Sequence, residues 1–344
     1  MKRNAKKQMP QPQQRVQVIE DAPAPAAKKV SSVWLTVLII IFAAVFLVSA
    51  GVLIWEMVIN PFVTDQNTEQ IQEVFVEAGG VAGTPVEEDE TPDEAYDRRV
   101  EAIQKLQAIN PDISGWLRID NTNINQPVLS PPADDPEYYL YRNYKKEDTK
   151  YGSIFLDVIS PVDADNQLIH GHSMQDGRMF WSLISFGNPE VVKQSPVIQY
   201  DTDVEAGDWK IVSVFKTNTL SSQGELFNYL QADFSSPEEK MQFYYDVMKR
   251  SMVDTGVDLN ENDRTIMLST CSYEYDNFRT VVVARKVREG EAPSVDTDKI
   301  QASENPLFPD VWYASGSAPD YWPEKFEDAL KAGMIDWYTG ELYS

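Results

Sequence analysis

Apolar positions fall into distinct regimes along the chain. From Val30 to Trp55 they run without a charged residue, as VSSVWLTVLIIIFAAVFLVSAGVLIW. A helix needs about 20 apolar residues to cross a bilayer, so the run predicts an uncleaved membrane anchor over 30–58. Trp34 and Trp55 stand near its ends, where indoles favour the interface. A cleaved signal peptide fits less well, because the run exceeds a typical h-region and Ala50-Gly51 makes a weak cleavage site. Over 59–90 the chain becomes polar and acidic and ends in AGGVAGTPVEEDE. This composition predicts a flexible linker with an r.m.s. span of about 30 Å.

Folding is expected to begin at Thr91. Thr91-Pro92-Asp93-Glu94 is a capping-box pattern with proline at the first helical position. Tyr96, Val100, Ile103 and Leu106 then form an amphipathic stripe that Asn110-Pro111 ends. Afterwards the period shortens. Eight β-rich runs follow: 116–119, 125–129, 153–155, 168–169, 197–200, 210–215, 265–268 and 280–286. Turn residues separate them, the pattern of a mainly β barrel or sandwich. One helix interrupts them, opening at Ser236-Pro237-Glu238-Glu239 and running to Met252, with Met241, Tyr244, Tyr245 and Met248 on one face. The last segment, 289–344, holds Trp312, Tyr313, Tyr321, Trp322, Trp337 and Tyr338, too many aromatics for a solvated tail. It is expected to pack on the barrel through a short helix over 323–332, with Trp322 or Trp337 buried. A lid over the active site is the alternative.

Charge orients this plan. The 344 residues carry 30 Lys and Arg against 54 Asp and Glu, a net of −24. Residues 1–29 hold seven basic side chains against Glu20 and Asp21, a net of +5, which leaves −29 for the remainder. The basic flank predicts a cytoplasmic N-terminus and an external acidic domain. So acidic a body excludes sequence-independent nucleic-acid binding. With 1 Cys, no disulfide can form within the chain.

Candidate chemistry is sparse. Cys271 closes the strand-like run Thr265-Ile-Met-Leu-Ser-Thr-Cys271, and Arg279 opens the next, so a short connection would bring them together. A lone Cys also reads as an inert apolar residue, although an unpaired thiol outside the membrane is exposed to oxidation. The 2 His sit at His170 and His172, at i and i+2, on one face of an extended chain. They suit a metal pair, which only Asp176 would complete, or one of them suits a base beside Cys271. The residues alone do not choose between them.

Several segments, in order, resemble a class B sortase, a membrane-anchored cysteine transpeptidase of Gram-positive bacteria. They are Asn110-Pro-Asp-Ile-Ser-Gly-Trp-Leu-Arg-Ile119, Tyr138-Tyr-Leu-Tyr-Arg142, Gly152-Ser-Ile-Phe-Leu-Asp157, Gly171-His172-Ser-Met174 and Leu268-Ser-Thr-Cys271-Ser-Tyr-Glu274 with Arg279. The resemblance implies an eight-stranded sortase barrel over 91–288, with the helix from Ser236 inserted between strands six and seven. It implies His172, Cys271 and Arg279 as catalytic residues, and Ser269, Thr270 and Glu274 as substrate-binding neighbours. His170 stands where an aromatic such as Tyr is usual and reads as wall. The implied reaction cleaves a C-terminal sorting signal of the Asn-Pro-x-Thr-x type on secreted proteins, through a thioacyl enzyme. It then transfers the product to an amine of the lipid-linked cell-wall precursor, or to a pilin Lys, at the cell membrane and with no cofactor or metal. A catalytically silent surface scaffold and an L,D-transpeptidase are the rivals. The latter's Ser-His-Gly-Cys type of motif does not surround Cys271. With ordinary thiol and imidazole acidities, a reaction needing thiolate and imidazolium together follows a bell centred near pH ~7.5.

Overall fold

The computed structural model describes residues 32–80 and 91–343. The basic segment 1–29 and the linker's end, 81–90, lie outside them. Two compact units divide the chain at Ile59/Asn60. The first contains helix α1 (Ser32–Ile54), followed by five residues of π-helix over Trp55–Ile59. Apolar side chains are exposed all round α1, and it is long and apolar enough to cross a membrane.

The second unit opens with helix α2 (Asn60–Glu77), where a flexible linker was expected. Its composition is polar, but Ile71 and Phe75, four apart on one face, are buried. Phe75 stacks on Trp116 with ring centroids 4.0 Å apart. Full burial of such a side chain contributes about 1.5–3 kcal/mol, enough to dock a helix of otherwise low apolar content. Gln72 donates to the Asn125 carbonyl, and Arg178 pairs with Asp65, fixing the same helix at two further points.

Helix α3 (Pro92–Leu106) begins as expected, with the full capping box between Thr91 and Glu94. The buried stripe is Ala95, Arg99, Ala102, Ile103 and Leu106, rotated from the expected one; Tyr96 and Val100 are only half-buried. The rotation serves Arg99, whose guanidinium makes a two-pronged hydrogen bond to the buried carboxylate of Asp201.

A closed eight-stranded barrel follows. Its strands are β1 (Ile113–Ile119), β2 (Asn125–Leu129), β3 (Ile154–Leu156), β4 (Asn166–His170), β5 (Val197–Thr202), β6 (Asp208–Thr217), β8 (Thr265–Ser272) and β9 (Phe278–Lys286). The order around the barrel is β1-β2-β3-β4-β8-β9-β6-β5, with β2/β3 and β4/β8 parallel and the other pairs antiparallel. Short helix α4 (Pro189–Gln194) precedes β5. Two-residue strands β7 (Val253–Asp254) and β10 (Gln301–Ala302) pair apart from the barrel.

Alternation divides the strands between two cores. Ile266, Leu268, Ile169 and Val282 fill the barrel interior. Met267, Leu168, Val281 and Val283 face outward into a second core, covered by helix α5 (Pro237–Met248) and the C-terminal extension. Helix α5 lies between the sixth and seventh barrel strands, buries Met241, Tyr244 and Tyr245, and is capped by Ser236. The extension packs on this core as expected, but through other residues. Its helix α6 (Phe326–Lys331) is shorter than 323–332, and Phe326, Ala329 and Ile335 are buried while Trp322 and Trp337 remain half-buried. Each indole sits at the cluster's edge against Tyr245 or Phe326.

Candidate active site

The outward rows of β4, β8 and β9 leave the second core at one end of the barrel and become the floor of a cavity. On β8 the row continues from Met267 to Ser269 and Cys271; on β9 it runs from Val281 to Arg279; on β4 it passes from Leu168 to His170. The register places Cys271 directly opposite Arg279, and His170 beside Ser269. The cavity has a volume of about 480 Å³, and its lining includes Cys271, Arg279, His172, His170, Asp157 and Tyr229.

Cys271 is a free thiol and partly exposed. Arg279 donates one hydrogen bond, to the Phe278 carbonyl at 3.1 Å, and makes no ion pair among the described residues. Its charge is therefore available to the cavity. The two histidines do not form one pair. Strand β4 ends at His170, so the i, i+2 argument stops short of His172. His170 Nε2 lies 2.9 Å from Asp157 Oδ2, and this bond keeps the Asp157 carboxyl below its ordinary range. His172 Nε2 lies 2.8 Å from the Leu140 carbonyl. Because that carbonyl can only accept, Nε2 carries the proton and Nδ1 is the basic atom of the neutral ring. Burial lowers the His172 pKa, and the bond to Leu140 offsets part of that effect.

The Leu140 carbonyl is itself fixed by a close approach. Gly152 has φ +59°, and a Cβ there would lie 2.2 Å from the Leu140 oxygen. Only glycine lets the chain pass under the carbonyl that orients the imidazole.

The neighbours expected at the site separate into two groups. Ser269 and Thr270 line the cavity; the Ser269 hydroxyl is 2.9 Å from that of Tyr229, and Thr270 donates to the Gly171 carbonyl. Glu274 does not line it. Its carboxylate binds Lys216 at 2.7 Å, a buried ammonium that also donates to Thr280. An ammonium buried to 3% exposure requires a counter-charge, and Glu274 supplies it. Tyr229 was not foreseen from sequence. No short motif marks it; it arrives from the β6–α5 connection, its phenol pushed up in pKa by burial. Asp176 accepts from Tyr151 and pairs with Arg178.

A sortase-domain family model matches residues 117–287. Sortase B of Listeria monocytogenes is 31% identical over 189 residues, covering 54% of this chain and 74% of the relative. Sortase B of Staphylococcus aureus is 28% identical over 190 residues, covering 54% and 75%. Among solved structures, sortase B of B. anthracis in complex with AAEK1 aligns with a TM-score of 0.54 at 31% identity, over 67% of this chain and 99% of that one. A Staphylococcus aureus sortase B–substrate complex shares the fold, with a TM-score of 0.56 at 24% identity over 67% and 99%.

Proposed function

The chain belongs to the class B sortases, a family of cysteine transpeptidases, and from that membership we propose that it cleaves the C-terminal sorting signal of secreted proteins and passes them to an amine of the lipid-linked cell-wall precursor. The signal is of the Asn-Pro-x-Thr-x type. The basic segment 1–29 lies in the cytoplasm and the barrel outside, so substrate and precursor meet at one membrane.

Cys271 is the nucleophile. Its thiolate attacks the Thr carbonyl, the Thr–x amide bond breaks, and a thioester joins the Thr acyl group to Cys271. His172 gives a proton to the leaving amine and takes one from the incoming amine, which displaces the thiolate and forms a new amide. Arg279 faces the charge that develops on the carbonyl oxygen. The observation that supports this reading is the β8/β9 register, which sets Cys271 opposite Arg279 on a cavity that His172 also lines.

The test uses the full chain in detergent, with sorting-signal peptides and candidate amines, and intact-protein mass spectrometry to trap the thioester. Cys271→Ala is expected to abolish cleavage with the fold intact, and wild-type cleavage by that variant would sink the reading. Arg279→Lys is expected to lose about 100-fold or more in kcat, because an ammonium does not reproduce the planar donor fork. Near-parental activity in Arg279→Lys would remove the oxyanion role.

A further inference from the structure

Five residues connect β8 to β9, and each is gripped from outside the turn. The Tyr273 hydroxyl donates to the carbonyl of Ser173, the residue after His172. Glu274 binds buried Lys216 on β6. The Asp276 carbonyl accepts from Gln223 at 2.8 Å, and the Asn277 carbonyl accepts from Thr219 at 2.8 Å. Tyr275 is gripped by the C-terminal extension. Trp312 lies 5.8 Å from the Tyr275 ring and 6.2 Å from that of Phe278, near-parallel to the latter, and Phe308 stacks behind it at 4.4 Å. Phe278 is fully buried and is the residue before Arg279.

We propose that Trp312 is a positioning residue for the transfer reaction: the extension braces the β8–β9 turn and thereby holds Arg279 in place over the cavity beside Cys271. The inference rests on the catalytic roles proposed above for that pair. The family match ends at residue 287, so the brace comes from a segment outside the matched domain. Cys271 and Arg279 are cross-strand partners at the turn end of the hairpin, with only the Ser272–Phe278 pair between them and the turn. The Trp312 ring lies against Phe278 and so holds the turn-side neighbour of Arg279 from outside the ladder. Misplacing a catalytic group by about 1 Å can cost about 100-fold in rate without loss of binding.

The test compares Trp312→Ala, Trp312→Phe and Trp322→Ala in the full chain, with steady-state peptide cleavage and thermal melting. Trp322 belongs to the same extension and lines a cavity with Trp312, but its partners are Tyr245, Tyr321 and the Asn305 carbonyl, none of them a residue of the turn. Trp312→Ala is expected to lower kcat about tenfold or more with KM changed less than about threefold, and Trp312→Phe to restore most of it. Trp322→Ala is expected to lower the melting temperature while leaving kcat unchanged. A Trp312→Ala enzyme with parental kcat overturns the proposal, as does a kcat loss in Trp322→Ala equal to that in Trp312→Ala. Cys271→Ala run alongside separates the two readings, since cleavage by that variant would defeat the catalytic assignment and not the brace alone.

Discussion

At His172 burial and hydrogen bonding oppose each other, and burial is the larger effect, so the imidazole gives up its proton at lower pH than an ordinary histidine. If transfer needs imidazolium with thiolate, the share of His172 that carries its second proton falls as pH rises through the histidine's pKa. Lowering that pKa moves the centre of the bell to the acid side. The kcat/KM profile should therefore peak below the pH ~7.5 that ordinary acidities give, at a lower summit. A peak at or above that value in a fluorogenic peptide assay contradicts the assignment. Gly152→Ala should shift the profile further. The new methyl displaces the Leu140 carbonyl, removing the bond that favours the charged ring. The positive φ adds a penalty of about 1 kcal/mol or more, visible as a lower melting temperature. Gly152 belongs to a segment quoted for the family resemblance, yet its reason was not legible there. The atom it accommodates belongs to Leu140, in a different turn. Glu274 shows the same blindness: its position beside Cys271 suggested substrate, whereas its partner Lys216 is 58 residues away.

Among the elements, those with strong local period were legible. The barrel strands, the capped α3 and the inserted α5 each announce themselves by alternation or by a Ser/Thr-Pro start. Helix α2 does not, because the two apolar residues it buries, Ile71 and Phe75, gain nothing until Trp116 is in place beside them. The end of β9 is similarly non-local. Arg285, 1% exposed, donates to both carboxylate oxygens of Glu291, which also takes Lys210 on β6. Glu291→Gln leaves two buried cations undercompensated and should cost about 3 kcal/mol in urea unfolding at neutral pH. Hydrogen bonding to Arg285 keeps the Glu291 carboxyl far below the usual range. Its folded pKa is thus depressed, so its contribution is complete above the ordinary Glu pKa of about 4.3 and is lost as pH falls from there. The parent should lose its advantage over Glu291→Gln as pH is lowered through that region. An undiminished advantage in acid would contradict the ion-pair account.

For the whole molecule, Glu291 shows that a boundary drawn at 288 cuts through a working part of the fold. The extension also supplies Phe326, buried among Tyr245, Trp337, Tyr338 and Tyr343. Phe326→Ala should destabilise the domain by about 3–5 kcal/mol, measured by chemical unfolding. A cost below about 1 kcal/mol would mean that the extension is only loosely seated. The parallel seam between β4 and β8 bears on time rather than on strength. It pairs residues about a hundred positions apart, Asn166 with Thr265 and His170 with Ser269. Contacts that distant form late, after the loop between them has been closed at an entropic cost. Synthesis delivers the His172 side of the seam long before the Cys271 side. A growing chain therefore first shows an unpaired β4 edge, a place for a chaperone to hold or for a wrong strand to join. The same seam keeps Cys271 and His172 apart until the barrel shuts. If the two act together as proposed, reactivity and closure arrive in one event, and an unfinished chain carries its cysteine without that partner.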